Sequence, residues 1–186
     1  MDDLVKQAMA KWPNVPDCYG WLGLDNRGQW YMRDDRVQSL GSFQSGVPGA
    51  KGSVLRHDKL IAFIERNYEA DAQGRWYFQN GPQRVYVELE LAPRVWRLTP
   101  DGTLMAQGGH TTAAGACLLD EQGRVFVDSP IGLGLVHTLD VPIAAELVEQ
   151  GVWAPLECHS EALPAQYGYV LSPQASSPQR AAATPS

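Results

Sequence analysis

From position 84 onward the chain alternates. Val85, Val87, Leu89 and Leu91 are apolar, while Arg84, Tyr86, Glu88 and Glu90 between them carry polar groups. A period of two marks a strand with one face on a core and one toward water or a ligand. Arg75–Gln79 reads as a second strand, joined to Arg84–Leu91 by a tight turn. Asn80-Gly81 suits a type I′ hairpin, but a two-residue version needs the nitrogen at position 82 to donate, and Pro82 has no N–H. The pattern therefore predicts a wider, open turn. Upstream the period lengthens: Leu60, Ile61, Phe63, Ile64 and Tyr68 share one side of a helix over His57–Tyr68. Leu60, Phe63 and Ile64 are expected against the Val85/Val87/Leu89 face.

Asp2 and Asp3 open a further helix through Lys11, where acids complement the helix dipole. Its apolar stripe is Leu4, Val5, Ala8 and Trp12, and Pro13 and Pro16 end it. Tyr19–Met32 reads as a hairpin turning at Asp25-Asn-Arg-Gly28. Asp at the first turn position bonds the backbone ahead of it, and Gly at the fourth takes a positive φ. The same D-x-x-G signature returns at Asp71–Gly74 and Asp120–Gly123, with a shortened cousin at Pro100-Asp-Gly. Leu24–Met32 and Leu119–Val127 match best, and each precedes a helical pattern. The second helix covers Val141–Gln150, with Asp140 as N-cap, Pro142 in the first turn and Gly151 at the stop. Strands are also expected at Val95–Leu98, Val152–Leu156 and Tyr167–Leu171.

The implied fold is α+β: two similar helix-on-antiparallel-sheet units in a tandem hairpin–helix–strands repeat. Generic hairpins also share D-x-x-G turns by chance, which is the alternative to a repeat. The first unit spans 1–98, with 41–53 a flexible glycine-rich insertion, and the second spans 99–171. Residues 172–186 offer little to bury and are expected to be disordered.

Composition narrows the function. The 186 residues carry a net charge of −6 at pH 7, and the pI is about 5.1. Scattered basic residues in an acidic chain argue against nucleic acid and against an anionic membrane surface. Cys18, Cys117 and Cys158 are far apart and odd in number, the usage of a reducing compartment. The N-terminus shows no basic segment leading into an apolar run, and no run approaches membrane-spanning length. The expected location is the cytoplasm.

Few residues suggest chemistry. Gly46–Ser53 invites a phosphate-loop reading, but Lys51 precedes Gly52 where a P-loop needs Gly-Lys-Ser/Thr between strand and helix. A surface insertion fits better. Cys158-His159, beside Glu157 and Glu161, invites zinc or thiol chemistry. Adjacent strand residues point to opposite faces, however, and structural zinc needs paired ligands at close spacing. No catalytic residue, metal ligand or cofactor is assigned. The remaining candidate is the polar face of the central hairpin, where Tyr77, Gln79, Arg84 and Tyr86 combine aromatic, amide and guanidinium groups. Such a face holds a small anionic or planar ligand, or else is solvated with a local Arg84–Glu88 ion pair.

The stretches Pro13–Asp25, Phe63–Tyr68 and Arg75–Leu89 resemble an uncharacterised family of short proteobacterial proteins, classed as a domain of unknown function. The hairpin–helix–hairpin order is more distantly similar to a second unknown-function family of two tandem helix-on-sheet motifs, suggested to act in signal transduction. The resemblance implies the repeat and the fold class and assigns no catalytic residue. The expected function is a non-catalytic cytoplasmic binding or regulatory module for an unknown small molecule or protein. The alternatives are a small enzyme using Cys158 or Cys18 with a histidine, and a structural interaction subunit.

Overall fold

The computed structural model describes residues 1–178. The chain divides into two compact units, one made of Met1–Asp25, Gln29–Glu90 and the chain from Val170, the other of Asn26–Gly28 and Leu91–Tyr169.

The first unit runs α1 (Asp3–Lys11), β1 (Cys18–Leu24), β2 (Trp30–Met32), α2 (Asp35–Leu40), β3 (Ser53–Val54), α3 (Asp58–Arg66), β4 (Tyr68–Ala70), β5 (Trp76–Asn80) and β6 (Gln83–Leu89). Its sheet has the order β3-β2-β1-β6-β5-β4. The β1–β6 pair is parallel and the others antiparallel. A parallel neighbour needs a crossover connection, and the segment carrying α3 supplies it.

The second unit runs β7 (Arg94–Leu98), β8 (Leu104–Met105), β9 (Thr111–Thr112), β10 (Cys117–Leu119), β11 (Val125–Val127), β12 (Gly134–Val136), α4 (Val141–Glu149), β13 (Leu156–Glu157) and α5 (Leu163–Tyr167). Its order is β13-β10-β11-β12-β7-β8-β9, with β10–β13 and β12–β7 parallel. β7, expected to close the first unit, therefore belongs to the second sheet. Each unit contains an antiparallel hairpin, a third strand on its outer side, a helix, and a strand returning parallel to the first. The runs β3-β2-β1-β6 and β12-β11-β10-β13 share strand order and directions, with β4 and β5 added before the returning strand in the first unit, so the two sheet units fit a tandem arrangement. The fold class is α+β, with each sheet mixed rather than wholly antiparallel.

The three D-x-x-G turns are alike. Gly28, Gly74 and Gly123 have φ of 77°, 77° and 76°. Asp25, Asp71 and Asp120 each accept, through Oδ1, the backbone N–H four residues on, at 2.8, 3.0 and 2.8 Å. The β5–β6 turn is tighter than expected. Asn80 pairs with Gln83, leaving Gly81-Pro82 as a two-residue loop. Gly81 has φ +56°, and proline's fixed negative φ follows it, the type II′ pattern. Shifting the turn by one residue places Pro82 where no N–H is needed.

α3 ends at Arg66, and Tyr68 starts β4, where its ring meets those of Trp30 and Trp76. Ile64 is the buried anchor, and Phe63 meets Phe78 edge-on at 5.6 Å, but Leu60 is 39% exposed because it lies off that side. Likewise only Val5 of α1 is buried, and Leu4 and Trp12 are exposed. Asp140 does not cap α4. Its Oδ2 accepts from Arg97 Nε at 2.6 Å and from the Leu98 amide at 2.9 Å. Strand structure at Val152–Leu156 shrinks to β13, and Tyr167 closes α5, with Gly168 left-handed behind it.

Neither the glycine-rich insertion nor the start of the tail is loose. Arg33 is fully buried, and its guanidinium donates to the carbonyls of Ala50 (2.8 Å), Gly20 (3.1 Å) and Gly41 (2.7 Å). Phe43 packs on the backbone of Gly23, where an added Cβ would lie 2.4 Å from the ring. Gln44 Nε2 donates to Glu88 Oε2, Leu89 O and Leu171 O. Ser172–Pro178, expected to be disordered, carries a 3-10 turn at Pro173–Ser176, and the Gln174 amide donates to Glu88 Oε1 at 3.0 Å. Residues 179–186 of the expected disordered tail lie outside the described residues.

These contacts set magnitudes. Arg33→Met removes the donors of three carbonyls and is expected to cost about 3 kcal/mol or more in urea denaturation. Ile64→Ala is expected to cost about 2–5 kcal/mol and Leu60→Ala about 0.5 or less. A loss below about 1 kcal/mol for Arg33→Met contradicts the tethering.

Candidate functional site: a tyrosine cluster under two arginines

The β5–β6 ladder sets Tyr77 opposite Tyr86 and Gln79 opposite Arg84. Residues paired across an antiparallel ladder project to the same face, so all four sequence-predicted residues meet. Tyr19 of β1 joins them, its ring stacked on Tyr86 at 4.8 Å and 6°. Tyr77 meets Tyr86 at 5.8 Å and 63°. This face is no open aromatic platform, because Tyr77, Gln79 and Tyr86 are buried and only Arg84 is half-buried.

Two arginines cover the rings, with different partners. The Arg75 guanidinium lies 4.7 Å from the Tyr86 ring centroid, and its Nη2 donates to the Tyr86 hydroxyl at 3.1 Å. Asp71 Oδ2 accepts from Arg75 Nε at 2.7 Å and from the Tyr86 hydroxyl at 3.0 Å. Burial pushes the Asp71 carboxyl up, but hydrogen bonds from Arg75 and Tyr86 outweigh it and hold the group below the usual carboxylate range. Burial likewise pushes the Tyr77 and Tyr86 hydroxyls up.

Arg84 lies 4.5 Å over the Tyr77 ring and touches the Tyr86 hydroxyl. It has no ion-pair partner among the described residues. The alternative Arg84–Glu88 pair does not form: Glu88 lies four residues along β6, beyond Tyr86, and takes its hydrogen bonds from Gln44 and Gln174. Gln79 is 1% exposed. Its Nε2 donates to Gly81 O at 2.9 Å, whereas Oε1 is buried with no hydrogen-bond partner.

Sequence reading missed Tyr19, Asp71 and Arg75 as members. The signal for the last two was the Arg that follows the D-x-x-G turn. Arg124 makes the same bond to Asp120, at 2.6 Å, in the second unit.

The family model DUF2944, described as "Protein of unknown function (DUF2946)", matches residues 1–174. The chain belongs to this family. It is also similar to the crystal structure of a DUF1285 family protein from Silicibacter pomeroyi DSS-3, with 14% identity over 79% of this chain and 85% of that one, at a TM-score of 0.49. No curated protein matches. In this DUF2944 chain no described helix is long and apolar enough to cross a membrane.

The other sequence candidates do not assemble into a site. Cys158 lines a cleft of about 450 Å³ with Leu119, Asp120, Glu121, Glu157 and His159. Burial pushes its thiol up, and the charges of Asp120 and Glu121 add to that. A nucleophilic cysteine needs the opposite, a cationic neighbour that favours thiolate. Glu121 accepts from Ser160 Oγ at 2.6 Å and from its amide at 2.9 Å, which holds the carboxyl at about 2. His159 Nδ1 lies 4.0 Å from Glu121 Oε2. Burial also raises the Cys18 thiol and pushes Cys117 up to about 11. Among the described residues no group of His, Cys, Asp and Glu is arranged to hold a metal ion. Lys51 of the glycine-rich loop is paired with Glu90 at 2.8 Å, and β3 follows that loop where a P-loop requires a helix.

The Cys117 shift has a sign. A thiol pKa raised in the fold, from 9.0 to about 11, keeps its stabilising effect complete below pH 9 and loses it as pH rises toward 11. Alkaline denaturation profiles of wild type and Cys117→Ala are expected to diverge in that window. Native Cys117 is expected to resist iodoacetamide at pH 8, and rapid labelling of it contradicts the buried thiol.

Proposed function

We propose that this chain is a non-catalytic cytoplasmic binding or regulatory module. Its ligand is a small anion engaged by Arg84 on the β5–β6 face. One observation carries the reading: Arg84 sits over the Tyr77 ring with no ion-pair partner among the described residues, only the more distant charge of Asp17, while its neighbour Arg75 is paired with Asp71. A guanidinium presents donors in a planar fork that matches carboxylate or phosphate, and such charge-assisted pairs are stronger than neutral hydrogen bonds. The tyrosine packing fixes the base of the site. The raised cysteine thiols support a binding role over a thiol enzyme. A part in signal transduction, in proteobacteria, rests on the sequence resemblances alone.

A thermal-shift screen against small carboxylates and phosphates tests the reading, because a ligand that binds the fold raises its apparent stability by mass action. Arg84→Ala is expected to change unliganded stability by about 1 kcal/mol or less and to abolish the ligand-induced shift. A variant that keeps the shift moves the site elsewhere.

A further inference from the structure

We infer that the ligand at this face carries the zwitterionic head group of an α-amino acid, its carboxylate on Arg84 and its ammonium between Gln79 Oε1 and the Tyr77 ring. The inference rests on the anion-site reading above and adds the cationic half. Its independent support is Gln79. The amide nitrogen is committed to Gly81 O, so the oxygen end is the free one, and it is buried without a partner. A buried acceptor left unmade is unfavourable, and a ligand donor removes that penalty. Gln79 stands opposite Arg84 in the ladder, on the same face.

A bare anion fits this pair of groups poorly. It satisfies Arg84 but brings no donor to the Gln79 carbonyl oxygen. A molecule with an anion and an adjacent N–H donor satisfies both. The ring of Tyr77 favours the same solution. Arg84 covers that ring now, at 4.5 Å, and a guanidinium that turns to a carboxylate leaves the ring face free for a second cation. The ligand's ammonium replaces one cation–π contact with another. Glu69, whose Oε2 lies 3.5 Å from the Tyr77 hydroxyl, adds negative charge beside that ring.

The test uses the whole chain and calorimetric titration. The probes are a panel of α-amino acids with three part-ligands: acetate, methylamine and betaine, whose quaternary nitrogen has no N–H. At least one α-amino acid is expected to bind about tenfold or more tightly than acetate, methylamine or betaine. Gln79→Leu is expected to erase that advantage, while Arg84→Ala removes the binding of amino acid and acetate alike. Should Gln79→Leu fail to melt cooperatively, the betaine comparison on the wild type carries the same information. Acetate binding as tightly as every amino acid, with both lost in Arg84→Ala, overturns the zwitterion and leaves the anion site standing. No Arg84-dependent binding by any probe overturns both.

Discussion

A charge taken wholly out of water organises the first unit. Arg33 is 0% exposed and Glu88 is 1% exposed. Burial lowers the Arg33 pKa, and the Glu88 charge opposes that shift. Neither group is tolerable in an interior without hydrogen bonds. Arg33 therefore collects carbonyls from β1, from the end of α2 and from the glycine-rich loop, at Gly20, Gly41 and Ala50. Glu88 collects donors from Gln44 in that loop and from Gln174 in the C-terminal segment. The two segments are held by these bonds together with the buried side chains of Phe43, Ala50 and Pro173.

The strand that carries Glu88 also carries half of the candidate site. Glu88, Tyr86 and Arg84 alternate along β6 and project to one face. At the Glu88 end that face is closed by Phe43, Gln44 and Gln174. At the Arg84 end Tyr19, Tyr77 and Tyr86 pack together beneath Arg75 and Arg84. Glu88 stands four residues along β6 from Arg84, beyond Tyr86, and is committed to Gln44 and Gln174. Arg75 shows the contrast: Asp71 shapes its turn and holds its guanidinium with the same carboxylate, leaving that cation no charge to offer a ligand.

Features set by local chemistry were legible in the sequence. The D-x-x-G turns, the two hairpins, α1, α3, α4 and the grouping of Tyr77, Gln79, Arg84 and Tyr86 follow from spacing alone. Features set by distant partners were not. Nothing near Arg33 announces that its bonds reach Gly20, Gly41 and Ala50, so the 41–53 segment read as loose. Asp140 has the sequence context of an N-cap, yet Arg97 and the Leu98 amide hold it in a stronger arrangement. Tyr68 continues the apolar spacing of α3 but is drawn into β4 by pairing with Phe78. α2 had a local signal that was missed: Asp34 caps the Val37 amide at 2.8 Å, and Val37 is buried. Burial of the tyrosines was invisible because Tyr19 and Arg75 cover them from outside the predicted set.

The central claim is that Arg84, alone among the arginines of the first unit's buried and half-buried clusters, has a guanidinium open to an anion. Side-chain NMR of arginine-labelled protein tests this most directly. Titration with a small carboxylate is expected to move the Arg84 Nε–H resonance in a saturable way while those of Arg33 and Arg75 stay in place. An Arg84 resonance that stays fixed while Arg75 or a surface arginine moves contradicts the account.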